Sequence, residues 1–309
     1  MRYTCNFCGR GGLRDSDRFC PVCGTPQPDR TPSPVSRFFL SLLYAALIWG
    51  VMFLVQTGIN TLYIYVVRES LPFSAFVSQN AFYDAYWSVF SKYYAPVCMG
   101  GVLLVILIYT LFYTLRGKRF EREISLSKIS PATASGSLVL GAASQIIITV
   151  SIFFLSFIFP YLEESGAQSD KFYSMTFGGG SFLLEVLYLS LFVPLLEEIV
   201  FRGLIYTRLR RGMPVPAAQI LSALIFGAAH MDLVQFCYAT LTGLLMAVLF
   251  EKYQSVLPSL LFHIAFNGCS YLFLYIHADL LIYALYFISI SILLFAFYLL
   301  SSKPERNPI

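Results

Sequence analysis

Three carboxylate, imidazole and amide sites in this sequence could do acid–base chemistry. They all stand where charge is costly. Glu197, Glu198 and Arg202 lie in the run Pro194-Leu-Leu-Glu-Glu-Ile-Val-Phe-Arg-Gly203, inside a long apolar stretch. A charge at bilayer depth costs at least ~2.5–3.5 kcal/mol on insertion scales, so such residues are functional candidates by default. Glu198 and Arg202 are four apart with the acid first, the spacing that pairs them on one helix face. Glu197 lies about 100° round the helix from its neighbour and stays free. An unpaired carboxylate in an apolar site is suited to general-base work. Two of the three histidines are also in apolar runs, His230 after Phe226-Gly-Ala-Ala and His263 four residues before Asn267. A carboxylate, two imidazoles and an amide donor can together activate water and stabilise an oxyanion, as amide hydrolysis requires. The bland alternative is one packing network of satisfied polar groups.

The elements that must position these residues are membrane helices. The chain has 309 residues, 57% hydrophobic and 12% charged, against about 45–50% and about 25% in soluble domains. Mean hydropathy is +0.69. This excludes a soluble enzyme, a disordered chain and a secreted disulfide scaffold. Apolar blocks near the ~20 residues that cross a bilayer predict eight spans, at roughly 38–66, 94–115, 132–160, 181–206, 214–231, 233–251, 255–275 and 278–301. The aromatic, mixed-polarity segment 72–91 reads as an interfacial or re-entrant piece. The expected fold is thus an all-α polytopic membrane protein with about eight transmembrane helices and a small N-terminal zinc ribbon.

Basic residues give the orientation. With the N-terminus cytoplasmic, the inner loops receive Arg116, Lys118, Arg119, Arg122, Lys128, Arg208, Arg210, Arg211 and Lys252, and the outer side only Arg68, Lys92 and Lys171. This obeys the positive-inside rule and places the chain in the cytoplasmic membrane with both termini inside. It also explains the basic charge through lipid rather than nucleic acid, and no nucleic-acid partner is expected. On this map Glu197 and His263 fall toward the cytoplasmic side and His230 toward the outer end of its span. Residues meant to converge should share a depth, so either the fifth span is tilted or re-entrant, or the boundary between the fifth and sixth spans is misplaced.

Residues 1–26 are a separate module. Cys5, Cys8, Cys20 and Cys23 have the spacing C-x2-C-x11-C-x2-C, each pair followed by a glycine. Two such pairs can hold one structural Zn²⁺ tetrahedrally. A disulfide framework fits a cytosolic module poorly, and so short a segment needs the metal to fold. A flexible linker at 27–37 joins it to the bundle at 38–303. A docking role for a cytoplasmic partner or substrate is the economical reading. Glu185 is expected at the interface, Asp232 at a solvated turn, and Gln145 as a bridge between helices.

The ordered set Glu197-Glu198-x-x-x-Arg202, Phe226-x-x-x-His230 and His263-x-x-x-Asn267 resembles the three signature motifs of the CPBP intramembrane protease family. That family includes type II CAAX prenyl endopeptidases and bacteriocin-processing, immunity or abortive-infection proteins. The resemblance covers roughly 180–275. It implies an endopeptidase acting on a membrane-associated protein or peptide, in a cavity open to the cytoplasmic side. It implies that Glu197 and His230 activate water, His263 and Asn267 form the oxyanion site, Glu198 and Arg202 hold the helix, and Phe226 lines the substrate groove. Glu197, His230 and His263 also match a catalytic metal set with one open position; the metal-free route through the glutamate is preferred and the alternative stays open. Without His-Glu-x-x-His or a serine in a nucleophile motif, other protease classes are disfavoured. The competing functions are a non-catalytic immunity or scaffold protein using the same cavity, and a transporter, which the lack of repeated halves weakens.

Overall fold

Side-chain caps start the long helices. Ser78, Ser130 and Asp232 each accept a hydrogen bond from the backbone N–H three residues on, at 3.1, 3.1 and 2.7 Å, which satisfies one of the orphan donors of a helix start. The computed structural model describes residues 33–271 and 284–294, with residues 8, 9, 11, 22 and 23. The rest of the expected ribbon, including Cys5 and Cys20, lies outside the described residues. So do most of the linker and parts of the seventh and eighth expected spans.

The described chain is helical. It runs as α1 (Pro34–Glu69), α2 (Gln79–Leu115), α3 (Phe120–Glu123), α4 (Pro131–Ser156), α5 (Pro160–Phe177), α6 (Phe182–Leu187), α7 (Val193–Glu197), α8 (Thr207–Gly212), α9 (Val215–Ala228), α10 (Leu233–Tyr253), α11 (Val256–Ser270) and α12 (Ala284–Leu294). Helices α1, α2, α4 and α10 are each long and apolar enough to cross a membrane alone. Their outer faces carry exposed apolar side chains such as Leu54, Leu62, Leu103 and Leu107, as a lipid-facing surface requires. The chain is an all-α polytopic membrane protein.

Two expectations about the elements are corrected. The segment 72–91 is not a separate interfacial piece. A short 3₁₀ turn at Phe73–Phe76 leads into α2, which runs unbroken through residues 79–115 and so joins that segment to the second span. Its aromatic residues pack on α1, with Tyr63 Oη donating to the Phe90 carbonyl at 2.6 Å. The third expected span, 132–160, ends at Ser156. The polar helix α5 follows it and packs against α2 and α4.

The fourth span is one rod made of unlike parts. Between α6 and α7 the chain winds as a π-helix over Tyr188–Phe192, and between α7 and α8 again over Glu198–Tyr206. Proline explains the first. Pro194 has no N–H to donate, so the regular ladder cannot run through it. The Val193 N–H bonds to the Tyr188 carbonyl, one residue further back than in an α-helix. The second π segment is the centre of the molecule, and all nine of its residues are buried. Helices α1, α9, α10 and α11 surround it.

Close helix contacts hold the bundle. At Gly141 of α4 an added Cβ would overlap the Phe262 carbonyl of α11, so only glycine permits this approach, a common device where lipid gives no hydrophobic drive. At the end of the bundle rich in basic residues, Glu251 accepts from Tyr206 Oη (2.7 Å) and pairs with Arg210 (3.0 Å). Beside it, Glu123 pairs with Arg208 (3.1 Å) and Lys118 (3.0 Å). These tie the loop after α2 and the ends of α8 and α10 together.

Candidate active site

Glu198 and Arg202 form the buried ion pair that their spacing predicts. Arg202 Nη1 lies 3.1 Å from Glu198 Oε1, and both side chains are 0% exposed. Arg202 Nη2 also donates to the Gly243 carbonyl of α10 at 3.0 Å. Its guanidinium covers the face of the Phe226 ring, 4.3 Å from the centroid, a desolvated cation–π contact. An ion pair out of water is costly, and these extra partners offset part of that cost, although Glu198 Oε2 and Arg202 Nε make no hydrogen bond among the described residues.

Glu198 has a second partner. Its Oε1 is 3.1 Å from His263 Nδ1. A carboxylate can only accept, so Nδ1 donates and the ring is fixed with Nε2 on the other side. Nε2 lies 3.6 Å from Glu197 Oε2, and the Glu197 side chain keeps 22% exposure. The two glutamates thus point apart, as their offset predicts. One is sealed with arginine and histidine, and the other faces a cavity.

That cavity has a volume of about 510 Å³. Glu197, Phe226, His230, His263 and Asn267 all line it, so the structure brings these five predicted residues together and sets Glu198 and Arg202 behind them. His230 follows from the early end of α9. Fourteen residues rise about 21 Å, short of the ~30 Å hydrocarbon core. The helix is therefore too short to cross the core alone, and His230, just past its end, lines one cavity with Glu197 and His263. His230 Nδ1 is 2.9 Å from the Phe226 carbonyl, which must accept, so Nε2 is the nitrogen left over. Phe226 itself is 1% exposed. Its ring is nearly perpendicular to both imidazoles, 5.0 and 5.8 Å from their centroids.

Asn267 does something the sequence did not announce. Its Nδ2 donates to the Leu189 carbonyl at 2.9 Å. In a π turn that carbonyl should accept from residue 194, which is proline. The Val193 N–H is already taken by Tyr188. Asn267 supplies the missing donor, and one amide hydrogen remains.

The rod contributes more of the wall than expected. Glu185, Leu189, Val193 and Glu197 all line the cavity. In a continuous α-helix each step of four overshoots the face by about 40°; the slower-winding π turn at 188–192 takes up that drift. Glu185 is therefore not at the interface but in the cavity wall, accepting from Tyr271 Oη at 3.3 Å. The repeat of four was the available signal. Asp170 and Tyr173 of α5 also line the cavity; sequence reasoning missed them because α5 was not recognised as an element. Partial burial, with the Glu185 and Glu197 carboxylates, pushes the Tyr173 phenol up, so it stays a neutral hydrogen-bond donor. Gln145 donates to Thr149 of its own helix (3.0 Å) and faces the cavity rather than bridging helices. Asp232 caps α10.

The cavity lies toward the end of the bundle away from the loops rich in basic residues. Its walls come from α5, the end of α9, the first half of α10 and the last half of α11. The basic loops after α2 and around α8 lie at the opposite end. Among the described residues no three of His, Cys, Asp and Glu form a group that could hold a metal ion. Both ring nitrogens of His263 face carboxylates, Nδ1 toward Glu198 and Nε2 toward Glu197. Ser259, beside His263 in sequence, is buried and donates to the Val256 carbonyl at 3.0 Å. The arrangement therefore offers water activation by a carboxylate, with imidazoles and an amide around it, rather than a serine nucleophile.

No curated protein and no solved structure gives a match to the chain. Residues 179–269 match the family model described as type II CAAX prenyl endopeptidase Rce1-like, so the segment that builds most of this cavity is an Rce1-like domain.

Proposed function

We propose that this protein is an intramembrane endopeptidase that hydrolyses a peptide bond of a membrane-associated protein or peptide inside the 510 Å³ cavity. The observation that carries the reading is Glu197: a carboxylate open to the cavity beside His263, while its neighbour Glu198 is sealed by Arg202. Glu197 takes a proton from the attacking water and later returns it to the leaving amine. His230 Nε2, left open by the Nδ1–carbonyl bond, accepts from the same water. His263 Nε2, when protonated, and the spare amide hydrogen of Asn267 stabilise the oxyanion. Glu198 orients the His263 ring, Arg202 holds Glu198, and Phe226 spaces the two imidazoles.

In this reading the ends of α2 and α8, with their basic loops, face the cytoplasm, as the positive-inside rule favours. The cavity then opens on the opposite face of the membrane. Residues 1–26 form a cytoplasmic zinc ribbon in this reading, with Cys5, Cys8, Cys20 and Cys23 as ligands and a docking partner in the cytoplasm. One zinc per chain, lost in a Cys5→Ser, Cys8→Ser variant, is the expected metal count.

The test compares protein termini in membranes of cells expressing wild type or Glu197→Gln at matched levels. New termini that require Glu197 are expected. If no terminus differs while the physiological phenotype survives Glu197→Gln, the cavity is a binding site and the protease reading fails.

A further inference from the structure

The cavity has an extension that the proposed chemistry does not use. A second recess, of about 380 Å³, meets it at Tyr173, His230 and Gln235, which line both. Two helix stripes form its walls. From α5 come Ser165, Gln168, Ser169, Phe172 and Tyr173, spaced three and four apart and therefore on one face of that helix. Across from them stand His230, just past the end of α9, and Asp232 and Gln235 at the start of α10. The α10 stripe continues inward through Ala239 and Thr242 along the wall of the main cavity. Recess and cavity thus form one passage leading to Glu197. The α5 wall lies outside the matched segment 179–269, so that likeness does not account for it.

The polar groups in these walls are neutral and largely unused. The side chains of Ser165, Ser169 and Gln235 make no hydrogen bond among the described residues. Gln168 donates one amide hydrogen to Glu164 at 3.3 Å and keeps its carbonyl. Asp232, the one carboxylate in the lining, caps α10 by accepting from the Gln235 N–H at 2.7 Å. Amides and hydroxyls both donate and accept. A polypeptide main chain needs both, because each residue brings one N–H and one C=O that are costly to leave unpaired. Held extended, it directs these groups to its two sides, where α5 and α10 each offer a row of partners. A hydrocarbon chain would leave those rows unpaired. A charged group would meet no lysine or arginine there, and a carboxylate already engaged as a cap.

We infer that the recess between α5 and α10 is a subsite for an extended polypeptide main chain, holding the substrate on one side of its scissile bond. Recognition there is through main-chain hydrogen bonds, which give affinity without reading side chains. The inference rests on the endopeptidase reading for the word substrate, but peptide binding in the recess does not.

Binding and cleavage are read separately. Full-length Glu197→Gln protein in detergent is irradiated with a pool of random-sequence decapeptides, each carrying a benzophenone side chain, and the adducts are mapped by mass spectrometry. Adducts are expected on the α5 face 165–173 and on 232–239 of α10. A second pool, N-methylated on alternate peptide nitrogens, should label these positions roughly tenfold less, as expected for the loss of about two neutral hydrogen bonds. Gln168→Leu with Gln235→Leu should lower labelling by the unmethylated pool to a similar extent. Ser169→Trp, which fills the recess from the α5 side, should abolish it. Adducts confined to the outer faces of α1 and α2, or labelling that survives N-methylation and both variants, overturns the inference. Cleavage of the unmethylated pool by the chain with Glu197 intact tests the protease reading. Labelling in the recess without any cleavage keeps the subsite and sinks the protease. Cleavage whose KM is unmoved by the glutamine pair and by Ser169→Trp does the reverse.

Discussion

Glu197 and Glu198 are adjacent and chemically identical, yet their surroundings give them different work. Glu198 is fully enclosed with Arg202 and His263, while Glu197 meets the cavity. Glu197→Gln removes the base and nothing structural. Activity should fall by about 10²–10⁴-fold with the melting temperature unchanged, as peptide cleavage and thermal unfolding in detergent would show. Arg202→Met leaves an uncompensated charge at the centre of the bundle and should cost about 3–5 kcal/mol. Replacing Glu198 and Arg202 together by methionine should recover most of that stability in the same unfolding assay. Activity should stay lost, because His263 then has no anchor for Nδ1. Recovery of both would mean that the pair serves packing alone.

At the scale of elements, the rod from Phe182 to Gly212 depends on one proline and one amide. Pro194 removes the donor that the Leu189 carbonyl needs, and Asn267 of α11 replaces it. Asn267→Leu should leave a buried carbonyl unpaired and cost about 1–3 kcal/mol. In a Pro194→Ala background the backbone regains an N–H, and the same substitution should cost less. The two changes are thus predicted to couple, and a double-mutant cycle on thermal unfolding measures the coupling. Additive costs would mean that the bulge does not depend on the proline. The spacing of these residues was plain in the sequence, but the bulge was not, because nothing in a list of residues says which carbonyl lacks its donor.

At the scale of the whole molecule, the cavity and the basic loops lie at opposite ends of the bundle. A cysteine at Gly166 of α5, in a background without other reactive thiols, should react with an impermeant maleimide added outside intact cells. A cysteine at Arg211 should react only after the membrane is permeabilised. The reverse pattern would turn the protein over and put the cavity on the cytoplasmic face. Packing tolerates little change at this scale. Gly141→Ala drives a methyl into the Phe262 carbonyl, and it should separate α4 from α11 and lower both stability and activity.

The sequence by itself determined that this is a helical membrane protein, because lipid forbids unpaired backbone and demands long apolar runs. It also determined which residues are chemical, because a charge inside such a run needs a reason. The pairing of Glu198 with Arg202 was legible too, being local to one helix. Tertiary structure alone decided the rest. His263 joins both glutamates only because α11 crosses the rod at their level. His230 reaches the cavity because α9 stops early. Asp170, Tyr173 and Glu185 become wall residues because α5 folds back over the bundle and the π turn rotates the start of the rod. The meeting of α5, α9, α10 and α11 with the rod is contact between elements distant in sequence, where hydropathy and spacing carry no information; Glu185 alone had a local signal, the repeat of four along its own rod.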